Sequence, residues 1–116
     1  MKIKNGIGEI NVSPKMVAML AANVTESCYG VVGMAARSRT DGIVDLLLGE
    51  NKTKGIKVTT DSNKATVELH IIVQFGLNIS SICKSIANRV RYTLETVSGI
   101  PVKAVNIRVE GIRVSE

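Results

Sequence analysis

The sharpest hydrophobic pattern in the chain runs from residue 65 to residue 111. In the run ATVELHIIVQF, Ala65, Val67, Leu69, Ile71, Val73 and Phe75 fall on one face of a pleated strand, and Thr66, Glu68, His70 and Gln74 fall on the other. The first face is built for burial. Ile72 interrupts the second, an aliphatic residue on an otherwise polar side. From Asn78 the period lengthens: Ile79, Ile82, Cys83, Ile86, Val90, Leu94 and Val97 recur at three- and four-residue steps, with Ser81, Lys84, Asn88, Arg91 and Glu95 on the opposite stripe. This spacing predicts an amphipathic helix. Gly99 supplies its left-handed end and Pro101 forbids continuation. A strand follows, with Val105, Ile107 and Val109 inward and Asn106, Arg108 and Glu110 outward. Past Gly111 the apolar positions change parity to Ile112 and Val114, which predicts a β-bulge or the end of pairing at that glycine.

Upstream, residues 7 to 12 predict a short strand. Ser13-Pro14 then opens a helix, the serine capping a free N–H and the proline sitting where no donor is needed. Val17, Leu20, Ala21, Val24 and Cys28 form its predicted buried stripe, and Tyr29 and Gly30 end it. Residues 30 to 42 read as a short strand or a loop, and residues 43 to 48 as a brief helix whose Leu46, Leu47 and Leu48 plug one end of the core. Residues 50 to 55 are polar and read as a loop. Ile56, Val58 and Thr60 alternate with Lys57, Thr59 and Asp61, and Asp61-Ser62-Asn63-Lys64 turns this strand into the long one as an antiparallel hairpin. The order β-α-(short α)-β-β-α-β describes a two-layer α+β domain, its helices on one face of a small mixed sheet, with all of residues 1–116 in that single domain.

Composition narrows the picture. Hydrophobic residues make up 45% of the chain but aromatics only 3%, so the core is aliphatic and stacking platforms for bases are scarce. A formal charge of +5 permits attraction to nucleic acid, anionic lipid or an acidic protein, and is also ordinary for a soluble domain. Cys28 and Cys83 stand at apolar helix positions without a ligand-like neighbour, which predicts two buried thiols, no metal site and a reducing cytoplasm. No apolar stretch has the length of a signal peptide or of a membrane span, so the expectation is a soluble protein that reaches a membrane only through a partner or through surface charge.

Candidate chemistry is sparse. His70 is the sole histidine and lies on the polar side of its strand, which points to a solvated side chain rather than a general base. Ser27, Ser80 and Ser81 lack the partners a nucleophile needs. No catalytic residue, cofactor site or metal site is therefore expected. Gly30-Val31-Val32-Gly33 has the GxxG spacing with which KH domains clamp a nucleic-acid backbone, and Arg37 and Arg39 follow it. Two valines between the glycines point instead to a tight turn whose middle enters the core. The remaining basic residues, Arg89, Arg91, Lys103, Arg108 and Arg113, do not fall on one stripe.

Gly8-Glu9-Ile10, Ser13-Pro14, Tyr29-Gly30-Val31-Val32-Gly33-Met34, Phe75-Gly76-Leu77-Asn78-Ile79, Val97-Ser98-Gly99-Ile100 and the run from Val105 through Gly111 together resemble the bacterial alkaline shock protein family, also called the general-stress or envelope stress response family. The likeness spans about residues 6 to 114. It departs where members often carry Pro-Glu after the Asn-Ile pair, since this chain has Ser80-Ser81. The resemblance implies a non-catalytic cytoplasmic scaffold or accessory protein in envelope stress and homeostasis, working through protein contacts and in some members held to the membrane by an anchored partner. Aliphatic residues off the main stripes, Met16, Met19, Ile112 and above all Ile72, add the expectation of a homo-oligomer. The alternative is a KH-like RNA-binding module built on Gly30, Gly33, Arg37 and Arg39.

Overall fold

The structure, a computed structural model, describes residues 2–5, 8–37 and 44–114. Strands β1 (Lys2–Asn5) and β2 (Gly8–Asn11) form a separate two-stranded antiparallel hairpin, so the expected first strand is the second arm of a pair. Helix α1 (Pro14–Glu26) follows, with the Ser13 hydroxyl accepting from the Lys15 amide at 3.1 Å and Pro14 in the first turn. The main sheet has five strands: β3 (Val31–Arg37), β4 (Val44–Leu47), β5 (Ile56–Asp61), β6 (Lys64–Gln74) and β7 (Val102–Arg113). Helix α2 (Ile79–Thr93) connects β6 to β7.

Strand β6 is the spine of the sheet. On one flank β7 runs parallel to it from Ala65 to Gln74. The other flank is divided end to end, with β5 antiparallel against Lys64 to Leu69 and β3 antiparallel against Ile71 to Val73. Strand β4 extends the sheet beyond β3. Between β5 and β6 only Ser62 and Asn63 turn the chain, both with positive φ (51° and 66°), which is the two-residue hairpin geometry that matches strand twist. The parity change expected near Gly111 is present. Register shifts between Ile71 and Ile72, where β7 places Val109 and then Gly111 and leaves Glu110 as the extra residue.

Both helices cover one face. Ala65, Val67, Leu69, Ile71 and Val73 point toward them and are fully buried, against Val17, Ala21 and Ala22 from α1 and Ile82, Ile86 and Val90 from α2. Small side chains on α1 let it approach closely, and each Leu or Ile fully buried contributes about 1.5–3 kcal/mol. The one buried polar side chain of α1, Thr25, gives its hydroxyl proton to the Ala21 carbonyl at 2.7 Å, so burial leaves it paired.

Several expectations change. Residues 44 to 47 are strand β4 rather than part of a brief helix, because the free edge of β3 needs a partner and alternation sends Leu46 and Leu47 to opposite faces. Leu48 lies past the strand and is exposed, so it plugs nothing. Helical turns fall instead on Gly49–Gly55, a 3₁₀ segment where a loop was expected. Strand β6 stops at Gln74, which turns Phe75 out of the buried face into an exposed turn. Val97 is exposed too: after Thr93 the helix widens into a π-turn, Leu94–Ser98, and the extra residue rotates Val97 off the stripe that Leu94 still occupies. Leu20 and Val24 are only half-buried, and so is Cys83, while Cys28 is buried; both thiols are free.

Gly99 closes α2 with φ 72°, as its position demanded. Replacing Ile86, fully buried at mid-helix, with Ala is expected to lower stability by about 2–4 kcal/mol in urea unfolding. Gly99→Val is expected to lower it by about 1–2 kcal/mol through left-handed strain alone, since open space surrounds that position. Losses under about 0.5 kcal/mol at both would contradict this packing.

Candidate interaction surface

At one end of the sheet four segments converge: the exit of α1, the start of β3, the turn from β6 into α2, and the end of β7. Backbone hydrogen bonds lock them together. The Gln74 amide donates to the Gly30 carbonyl at 2.9 Å, the Phe75 amide to the Arg113 carbonyl at 2.8 Å, and the Val31 amide to the Cys28 carbonyl at 3.3 Å. Gly30 (φ 88°) permits the crossing, because a Cβ there would lie 2.5 Å from the Ile82 Cδ1 methyl. Asn78 caps α2, its side-chain oxygen accepting from the Ser81 amide at 3.0 Å.

The rim these segments make is apolar and wet. Tyr29 is 79% exposed, Phe75 65%, Val114 73% and Ile112 51%, so two of the chain's three aromatic residues stand in solvent at one end of the fold. Beside them a crevice of about 190 Å³, lined by Tyr29, Leu77, Asn78, Ser81, Ile82 and Ser85, opens between the turn after α1 and the start of α2. Behind it Arg89 approaches the Cys28 sulfur at 3.8 Å. Burial pushes the Cys28 thiol above its ordinary value, with Arg89 opposing the shift. The site suits contact with another apolar surface and presents no activated nucleophile.

The sheet face turned away from the helices is charged. His70 Nδ1 lies 2.9 Å from Glu110 Oε1 and its Nε2 lies 3.3 Å from Glu68 Oε2, while Arg108 Nε donates to Glu68 Oε1 at 3.2 Å. Glu68 was visible from sequence as a same-face neighbour of His70. Glu110 was not, because its placement depends on the parallel register of β6 and β7. Hydrogen bonds from His70 and Arg108 hold the Glu68 carboxyl below its ordinary value. Among the described residues no group of His, Cys, Asp and Glu is placed to hold a metal ion.

The residues singled out from sequence are scattered. Of the GxxG run only Gly30 is in a turn; Val31 already pairs with Val73, Val32 is exposed, and Gly33 is inside β3 opposite Ile72. The expected tight turn with a buried middle is therefore a strand start. Arg37 ends β3 opposite Val44, about 20 Å of strand from Gly30, and Arg39 lies outside the described residues. Ile72 does face away from the helices, yet it is only 2% exposed. It cannot mark an accessible interface. Its neighbours across the ladders are Gly33 and Gly111, and Leu46 folds over the space that Gly33 leaves, so close that a Cβ there would meet Leu46 Cδ1 at 2.7 Å. The aromatic residues that stand exposed at this end are Tyr29 and Phe75, which the sequence pattern predicts as a helix end and a core position.

A family model, the alkaline shock protein 23 family with a cell envelope-related function, matches residues 2–114. Curated relatives include the uncharacterized protein YloU of Bacillus subtilis, 33% identical over 99% of this chain and 97% of that protein. The uncharacterized protein Spy1614 of Streptococcus pyogenes serotype M6 is 32% identical over 98% of this chain and 95% of its own. A second Bacillus subtilis protein, the uncharacterized YqhY, is 25% identical over 92% of this chain and 78% of its own. No solved structure matches.

Because Glu68 titrates below its ordinary 4.5 in the folded chain, its contribution to stability is present above about pH 4.5 and is lost as pH falls through the lowered folded value. Glu68→Gln is accordingly expected to shrink the drop in melting temperature between about pH 6 and pH 3. An unchanged acid limb would show that the outer-face cluster does not couple to folding.

Proposed function

The chain belongs to the alkaline shock protein 23 family, whose function is cell envelope-related, and on that premise we propose that it is a non-catalytic accessory or scaffold protein acting through protein contacts. The observation that carries the reading is the apolar rim of Tyr29, Phe75, Ile112 and Val114 at one end of the sheet. Exposed aromatic and aliphatic side chains held on a locked backbone suit a protein partner, since little ordering is left to oppose binding. No described helix is long and apolar enough to cross a membrane. An envelope role then runs through a cytoplasmic chain docked on a membrane-anchored partner at the inner face. The reading includes self-association, for which the exposure of Met16 and Ile112 is further support. It involves no cofactor and no small-molecule substrate.

Chemical cross-linking followed by recovery from the membrane and soluble fractions tests this. The wild-type chain is expected to retain a specific membrane-fraction protein, and Phe75→Asp combined with Ile112→Asp to lose it by about tenfold or more at an unchanged melting temperature. An RNA titration over a range of salt is the decisive counter-test. Submicromolar affinity that falls steeply with salt and is abolished by charge reversal at Arg37 and Arg39 would replace this reading with the RNA-binding one.

A further inference from the structure

Strand β7 is the outermost strand of the main sheet along its whole length, with β6 on one flank only. Its first residues are paired by α2 and the π-turn that follows it. The Val102 amide donates to Glu95 Oε2 at 3.3 Å, and Arg91 donates to the Lys103 carbonyl at 3.5 Å. Among the described residues, no backbone hydrogen bond reaches the outer flank of residues 104 to 109. Open edges of this kind are templates for another strand unless something blunts them.

Two bulges bracket that open run. Lys103 is the extra residue where register shifts between Ala65 and Thr66, and Glu110 is the extra residue at the shift between Ile71 and Ile72. Between them the strand is regular. Its inward side chains, Val105, Ile107 and Val109, pack against the core yet remain half-exposed, because the helix layer ends over the edge of the sheet. We propose that a second copy of this chain covers this edge, the two β7 strands pairing antiparallel about a twofold axis at Ile107.

The register follows from the residues. In a continuous sheet, directly opposed residues share a face, so inward must meet inward and outward must meet outward. Centring the axis on Ile107 sets Ile107 against its own copy and Val105 against the second copy's Val109, which closes the half-exposed apolar row over itself. On the outer face it sets Asn106 against the second copy's Arg108, an amide beside a guanidinium. Both bulges fall outside this regular run. Centring on Arg108 would oppose two guanidinium groups directly. Centring on Asn106 would draw the bulged Lys103 into the ladder, and centring on Val109 would draw in Glu110. Such a contact is isologous and closes at two copies. It leaves the Tyr29 and Phe75 aromatic pair, at the sheet end, free for a different protein. The pairing rests on the self-association within the proposed function and not on its membrane partner.

Paired cysteines test the register. In a background of Cys28→Ala and Cys83→Ala, the variants Asn106→Cys and Arg108→Cys replace exposed outer-face side chains, the second giving up its bond to Glu68. Opposed residues in this register have Cβ atoms about 4.5–5.5 Å apart, close to disulfide reach, whereas each residue and its own copy are offset by two positions. An equimolar mixture of the two variants is expected to form disulfide dimer about tenfold faster than either alone. Sedimentation of the cysteine-free chain is expected to show a species of twice the 12.4 kDa chain mass. Equal cross-linking rates with the oligomer still present would overturn the β7 pairing and spare self-association. A single 12.4 kDa species at every concentration would overturn both, while capture of the membrane partner reads the envelope role independently.

Discussion

Hydrogen bonding on both flanks of β6 is the constraint on which the rest of the structure depends. A strand buried on the helix side, with Leu69 and Ile71 wholly out of water, must satisfy its amides and carbonyls within the sheet. One flank is met by β7 in parallel, which obliges the chain to cross the sheet, and α2 is that crossing. The other flank is met by two short strands set end to end. The two helices then share one face, and the opposite face is left to polar pairs around His70 and to the small apolar patch of Ile72 and Leu46.

This arrangement also explains where apolar side chains reach the surface. The sheet end holds exposed aromatic residues because β6 stops at Gln74, just before Phe75, while Gly30 and Gly76 turn the chain there with φ near +90°. The charged face is committed internally: Glu68, His70, Arg108 and Glu110 hold one another across β6 and β7. The apolar rim and the open edge are therefore the surfaces left for the protein contacts proposed above.

Much of this was legible in the residues, and the failures have physical causes. The inward face of β6, the caps Ser13 and Asn78, the Ser62-Asn63 turn, Gly99 and the bulge near Gly111 follow from period, capping chemistry and glycine freedom, which act locally. Strand β4 was missed because a leucine-rich run fits helix or strand equally, and only the unfilled edge of β3 decides between them. Ile72 was misplaced for a related reason: what covers it comes from Gly33 and Leu46, and that pairing is invisible before register is known. The site was less legible than the fold. Phe75 continues the alternation of β6 without a break, so nothing in the pattern marks it as leaving the sheet.

The parallel pairing of β6 with β7 has a consequence for synthesis. The β5–β6 hairpin can close once the chain has emerged through Leu69, but the other flank of β6 waits until the whole of α2 and then β7 have emerged. During that interval the apolar run Ile71-Ile72-Val73 offers unpaired backbone to any neighbouring nascent chain. Speed of translation through the last third of the message therefore sets how long that flank stays open.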